Sequence, residues 1–423
     1  MIMRIRIRQI ISKARREQGI TIIMVALLLV VLAAFTALAV DIAHLLVVRN
    51  ELQNAADAGA LAGARCLYSC YSDPAIEQGA IVNVMANQIA FDAATANKSE
   101  KIPVEVNWVS GNTGDVERGH WSFATRTFTP SNNETPPVLW NVSDAELDND
   151  VTNVNAVRVR TRREDSQASS FFAGILGMFG FNLNAEAIAY IGFAGKLQPM
   201  EVDQPIGICK QAVEDQLGNY TCNTGRMLNS GANNATRNTA GWTNFSQPCE
   251  TANANEMKSL ICSQGNPYTI SFGEGIGATG GVQNVTLAAL RDCFGPTTRT
   301  EPWNMTLPVI DCPGNNVSNC ATVVGAVNID IVWISDKDDL EKDDFPPASM
   351  GDWSCPAATC GSDRECCWND FVTHFNLKNV DDLTATYAKK SIYFLPDCTP
   401  HEPTGSSGGQ NFGIQAKTPV LVN

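Results

Sequence analysis

The chain's most plentiful reactive side chains are its 14 cysteines. Twelve lie beyond residue 200: Cys209, Cys222, Cys249, Cys262, Cys293, Cys312, Cys320, Cys355, Cys360, Cys366, Cys367 and Cys398. Zinc would ask for paired Cys-x2-Cys knuckles or for histidines close by. The sequence has no such knuckle and only four histidines, His44, His120, His374 and His401. It has no Cys-x-x-Cys-His haem motif either. An even count of cysteines on a chain that leaves the cytoplasm reads as a disulfide framework, whose connectivity spacing alone does not give. The vicinal pair Cys366 and Cys367 reads as two separate structural bridges rather than a redox switch.

Other chemistry finds less support. Asp336, Asp338, Asp339, Glu341, Asp343 and Asp344 offer hard oxygen ligands for calcium. The glycine at the sixth place and the glutamate at the twelfth that an EF-hand loop needs are missing, so the run reads as a solvated loop. No convincing Gly-x-Ser-x-Gly nucleophile with His and Asp companions occurs, and His374 and His401 are lone. The expectation is therefore no catalytic residue, no cofactor and no metal: not an enzyme. A net charge of −14 repels phosphate backbones and argues against nucleic acid as a partner.

The elements that carry these residues begin with an apolar run. Ile20 to Val40 is free of charge, and its 21 residues would span about 31 Å as a helix, the thickness of a bilayer core. Arg4, Arg6, Arg8, Lys13, Arg15 and Arg16 precede it and Asp41 closes it. The positive-inside rule keeps residues 1–19 in the cytoplasm. The run is too long for the apolar core of a cleaved signal peptide, so a retained single-pass anchor is expected, with membrane lipid as its partner.

Helical periodicity continues past the span. Leu45, Val48, Leu52, Ala56, Gly59 and Gly63 recur at spacings of three or four and predict one helix from about Ile20 to Ala64. Its apolar face thins from leucine to alanine and glycine, which lets another backbone approach closely. A second helix is predicted over Ala75–Asn97, with Pro74 near its first turn. Alternation predicts half-buried antiparallel strands at Val104–Trp108, Val157–Thr161 and Ala185–Ile191. SSFFAGILGMFGF between the last two reads as a short apolar helix or turn. The clearest later strand is Val327–Trp333; HEPTGSSGGQN reads as a flexible loop, GEGIGATGG and RMLNSGANNATRNTAGW as loops, and FGIQAKTPVLVN as a further strand.

The stretch from Gly19 to Ala64 resembles the N-terminal domain of TadG-like Flp (Tad) pilus-assembly proteins. The resemblance rests on Gly19 after the basic residues, the apolar run, Ala39-Val40-Asp41, and the signature Glu51, Leu52, Gln53, Asn54, Ala55, Ala56, Asp57, Ala58. SSFFAGILG with its alanine-rich strand is similar to the same family. The resemblance implies a bitopic protein of the bacterial inner membrane, minor-pilin-like, with other pilus-assembly proteins as partners and its bulk periplasmic or extracellular. Prepilin-type substrates are cut after a glycine and carry glutamate five places later; here Gly19 is followed by Met24 at that place. The von Willebrand type A metal motif of some longer members, Asp-x-Ser-x-Ser, is not matched.

The expected fold class is α+β: a long transmembrane helix packed on an antiparallel sheet, then a disulfide-rich, β-dominated part. The expected divisions are a tail at 1–19, a span at 20–40, a pilin-like α+β region at 41–195, a linker at 196–205 and a cysteine-rich region at 206–423. The leading functional expectation is a structural or assembly component of a Tad/Flp pilus or secretion system. The alternatives are a tethered adhesin or ligand-binding module and, third, a tethered enzyme.

Overall fold

The computed structural model describes residues 2–422 apart from 71, 72, 78, 223, 230–239, 281–283, 297, 336–348, 379–383 and 402, with helical side chains from Thr21 onward. The acidic run from Asp336 to Asp344 therefore lies outside the described residues.

Helix α1 spans Ile2–Arg65 without a break. Large apolar side chains from Ile22 to Leu38, including Leu28, Val30 and Phe35, stand exposed. From Val48 onward the same helix buries a face of Val48, Leu52, Ala55, Ala56, Ala60 and Ala64. That face meets helix α2 (Ala86–Thr95) and a sheet of β1 (Val116–Ser122), β2 (Thr127–Pro130), β3 (Ala156–Ser169) and β4 (Gly180–Tyr190). All four strands pair antiparallel in the order β4-β3-β1-β2. The pleat of β3 sends Val157, Val159 and Thr161 to the helix side. Arg158, Arg160 and Arg162 reach the opposite face, where they pair with Glu117, Glu186 and Asp115 of neighbouring segments.

Two local expectations are corrected. Instead of one helix over Ala75–Asn97, a single turn at Pro74–Glu77 is followed by an irregular stretch before α2. Gly79 sits at φ +72°, and the Asn83 amide donates to the Cys66 carbonyl at 2.9 Å, which turns the chain where a helix would run straight on. Nor is Val104–Trp108 a regular strand. It touches the sheet by one bridge, Glu105 to Arg162, and then turns away as the Asn107 N–H donates to Asp115 at 2.8 Å.

The second half holds strands β5 (Ala194–Leu197), β6 (Ile206–Cys209), β7 (Arg226–Asn229), β8 (Ala240–Thr243), β9 (Ile270–Ser271), β10 (Gly275–Thr279), β11 (Trp303–Ile310), β12 (Cys320–Ser335), β13 (Ser391–Pro396), β14 (Ser406–Ser407) and β15 (Val420–Leu421). Seven of them form one sheet in the order β10-β8-β6-β11-β12-β13-β7. Strand β12 is its centre, buried on both faces from Ala326 to Ile334 save Asp330, which is why its sequence reads as a near-continuous apolar run. Helices α3 (Ala254–Leu260), α4 (Asn284–Phe294) and α5 (Arg364–His374) pack against this sheet through Met257, Leu290, Phe294, Trp368 and Phe371.

Four stretches read as loop or linker are built wholly or partly into sheets: RMLNSGANNATRNTAGW supplies β7 and the start of β8 at its two ends, its residues 230–239 lying outside the described residues, and three others follow. Residues 196–205 complete β5 and bury Leu197 and Val202. GEGIGATGG contains β10, and the flexible-loop reading of HEPTGSSGGQN gives way to β14, which pairs with β5 beside β9. Both are glycine-dependent. A Cβ on Gly405 or Gly409 would collide with the carbonyl of Lys196 or of Ala194, so only glycine lets these backbones meet. Finally, β15 pairs antiparallel with β4 and so extends the first sheet, not the second.

Candidate functional site

The polar groups that converge most closely lie where α1 leaves its apolar half. Asp41 is 4% exposed. Its carboxylate accepts the backbone N–H groups of Phe171 (2.8 Å), Phe172 (3.1 Å) and Ala173 (2.7 Å) and the Ser170 hydroxyl (3.1 Å). These are the free N–H groups at the start of a single 3-10 turn, Ala173–Leu176, so Asp41 caps a segment contributed by the β3–β4 connection. Burial pushes this carboxyl up, but the hydrogen bonds from Phe171, Ala173, Phe172 and Ser170 outweigh it and hold it below the usual range.

One turn further along α1, His44 Nε2 meets Glu100 at 2.8 Å, and its ring packs at a tilt against Phe171, 4.7 Å between centroids. Glu100 also accepts from Arg163 Nη2 (2.9 Å) and the Ser169 hydroxyl (2.5 Å). Burial raises the Glu100 carboxyl, and its bonds to Ser169, His44 and Arg163 bring it below its ordinary value. Arg163 is 1% exposed; its Nε and Nη1 have no acceptor among the described residues. Glu51 completes the cluster by accepting from the Ser99 hydroxyl and the Glu100 N–H, both at 3.0 Å.

The signature residues thus divide by role. Glu51 fixes the turn at 99–100, while Leu52, Ala55 and Ala56 are wholly buried against the sheet and α2. Gln53 donates to Asp57 (2.8 Å) and to the Glu186 carbonyl of β4 (3.1 Å). Asn54 faces solvent, and Ala58 is half-buried. Gly19 and Ile20 lie inside the helical span, Met24 and Val40 on its exposed apolar half. Ser170, Glu100, Arg163 and Glu105 were not singled out by sequence. Their long-range partners lie 49 to 129 residues away in the chain.

Glu105 is a second carboxylate anchor. It accepts the N–H groups of Glu164 (2.8 Å), Asp165 (2.9 Å) and Ser166 (2.7 Å), and the Ser166 hydroxyl. Burial raises it, yet these bonds lower it from an ordinary 4.5 to about 2. A depressed folded value means its contribution is complete above the ordinary value and is lost as pH falls through the folded one. The amide shifts of Glu164, Asp165 and Ser166 in the detergent-solubilised chain are therefore expected to titrate with a midpoint near 2. A midpoint near 4.5 would contradict this arrangement.

All 14 cysteines lie at disulfide distance in seven pairs. The twelve downstream candidates pair as Cys209–Cys312, Cys222–Cys398, Cys249–Cys320, Cys262–Cys293, Cys355–Cys367 and Cys360–Cys366. The remaining pair, Cys66–Cys70, pins the end of α1. The vicinal Cys366 and Cys367 are divided between two bonds. The sulfurs of Cys355, Cys360 and Cys367 approach within 4.8 Å of one another, but in pairs they present no thiolate to a metal.

The histidines of the second half are also partnered: His374 with Asp352 and His401 with Asp397, each at 2.9 Å. Asn304 donates to both Asp330 and Asp397, tying β11 and β12 to the loop that carries Cys398. A cleft of about 440 Å³ between the two halves is lined by Tyr68, Asp144, Asp148, Tyr190 and Gln415. Burial pushes the Asp144 carboxyl up. The depression beside α5, about 610 Å³, is lined by Asp363, Arg364, Glu365, Trp368 and Tyr387 and is not the apolar pocket a ligand-binding module would favour.

This geometry defines a class: an α+β protein whose long helix is unpacked and apolar over one half and seated on an antiparallel sheet over the other. Residues 19–65 match the family model described as putative Flp pilus-assembly TadE/G-like, and residues 62–189 the one described as putative Tad-like Flp pilus-assembly. Over this region the chain is a Tad-like pilus-assembly protein, with a role related to pilus assembly. The cysteine-rich half lies outside both matches. No curated protein and no solved structure matches the chain.

Proposed function

We propose that the chain is a single-pass, membrane-anchored structural component of a Tad/Flp-type pilus-assembly or secretion system. Its N-terminus lies in the cytoplasm and the residues beyond Asp41 on the far side of the inner membrane. Residues 41–195 act as the pilin-like unit, and 206–423 as a cysteine-rich unit seated on it. The observation that carries the reading is the change of face along α1, from exposed Leu27, Leu28, Leu29 and Val30 to buried Leu52, Ala55, Ala56 and Ala60 in one unbroken helix. A helix of this kind places a folded sheet directly above a bilayer. Protease added to spheroplasts is expected to digest the chain beyond about residue 45, and a protected second half would overturn the topology.

The protein acts as a stationary assembly component, uncut after Gly19, rather than as a filament subunit. Cutting there would create an ammonium at Ile20 inside an apolar bundle. Met24 offers it no carboxylate, and an unpaired buried charge costs several kcal/mol. N-terminal mass spectrometry is expected to find residues 1–19 still attached. A mature chain starting at Ile20 and recovered from sheared pili would refute this.

A further inference from the structure

The connection between β3 and β4 exposes more large apolar surface than a solvated hairpin tip needs. Phe171 is 61% exposed, Ile175 85% and Phe179 78%; Phe172 and Met178 also face outward. No charged residue occurs between Asp165 and Glu186. The tip is well made: the Met178 N–H closes on the Ala173 carbonyl, and Gly177 turns the chain at φ +85°. Contiguous exposed apolar surface of this kind marks a contact face.

What covers it follows from where it is held. Asp41, the first charged residue after the apolar run, grips the start of this tip through Phe171, Phe172 and Ala173. His44, one turn on, packs its ring at a tilt against Phe171. The tip is therefore at the level where α1 leaves its apolar half, and Ile42, Leu46 and Val47 continue exposed apolar surface along the helix there. The polar cluster of Glu100, Arg163 and Glu51 lies on the sheet side of it. We propose that the 171–179 tip inserts into the extracytoplasmic leaflet of the same bilayer that α1 spans, a second membrane contact that fixes how the sheet stands on the membrane. The tip carries no cation, so the contact is with the acyl and glycerol region and does not require anionic lipid.

The inference rests on the spanning reading of α1. The test places a photo-crosslinking amino acid, one site per variant, at Leu28, Ile175, Phe179 or Leu217 of the full chain in phosphatidylcholine nanodiscs. Leu28 reports the span, and Leu217, 86% exposed in the cysteine-rich half, reports solvent. The expected result is a mass increase of one phospholipid at Leu28, Ile175 and Phe179 and none at Leu217. Labelling at Leu28 without labelling at either tip site overturns the inference and leaves the anchor standing. Failure at Leu28 as well overturns both. A protein adduct in place of lipid at Ile175, when the same variant is illuminated in cells, overturns it in favour of a protein interface.

Discussion

Replacing Cys222 and Cys398 together by serine is expected to cost the cysteine-rich half about 3–5 kcal/mol, enough to unfold it at growth temperature. The pair is 176 residues apart in sequence, the widest separation among the seven. It ties the loop before β7 to the end of β13, two neighbouring strands at one edge of the seven-stranded sheet. Constraint of the unfolded chain grows with loop length, and the bonds Cys209–Cys312 and Cys249–Cys320 shorten this loop without replacing the tie. Removing Cys360–Cys366, with a separation of 6, is expected to cost far less. Thermal melts of the detergent-solubilised variants, followed by near-ultraviolet circular dichroism, check the order. Equal losses for the two pairs would show that the long bond does not constrain the fold as described.

Gly59→Val and Gly63→Val are each expected to destabilise the first half by about 1–3 kcal/mol through overpacking. A Cβ on Gly59 would lie 2.9 Å from the Ala90 carbonyl oxygen and 2.9 Å from the Ala94 methyl. On Gly63 it would lie 2.8 Å from the Ala90 methyl and 3.1 Å from the Ala86 carbonyl oxygen. Helix propensity alone runs the other way, since glycine inside a helix is unfavourable by about 1 kcal/mol relative to alanine. The sign of the measured change therefore decides which effect dominates. Unfolding of the two variants in detergent, monitored by hydrogen exchange across α2, would report it; unchanged or greater protection would mean that α1 and α2 do not touch as closely as these distances require. The sites share Ala90, so the double variant is expected to lose less than the summed effects.

Much of the first half is legible in the sequence because its signals are local and periodic. The run from Ile20 to Val40, the Leu52–Ala56–Gly59–Gly63 face, and the alternation in β3 and β4 each follow from one element's own residues. The α+β class follows from them. What escapes is whatever depends on a distant partner. Asp41 reads as a full stop after an apolar run, and its role as a cap needs Ser170, 129 residues away. Glycine-rich β10, and β14, whose two serines lie between glycines, are too sparse in side chains to show an alternation. Their strand character comes from close approach to Asn244, Ser246 and Cys320 in one case and to Ala194 and Lys196 in the other. The break before α2 is set by Asn83 reaching back to Cys66, again a tertiary bond overriding a helical pattern. The cysteine pairing, left open by spacing, is decided by which strand ends, loops and helices the fold brings together.

Strand β15 closes onto β4 after the chain has travelled through the whole cysteine-rich half. That half leaves the first sheet at the end of β4 and returns to it at Val420–Leu421, so it is held by two strands of one sheet, not by a single connection. Val420 pairs with Tyr190, the last residue of β4, so the excursion starts and ends one strand apart and a pull on it loads the end of β4 through both strands. Two adjacent strands rather than one connection carry the load, and force arriving at the outer surface passes through β4 into α1 along contacts that include Gln53 to the Glu186 carbonyl and the packing of Ala187 and Ala189.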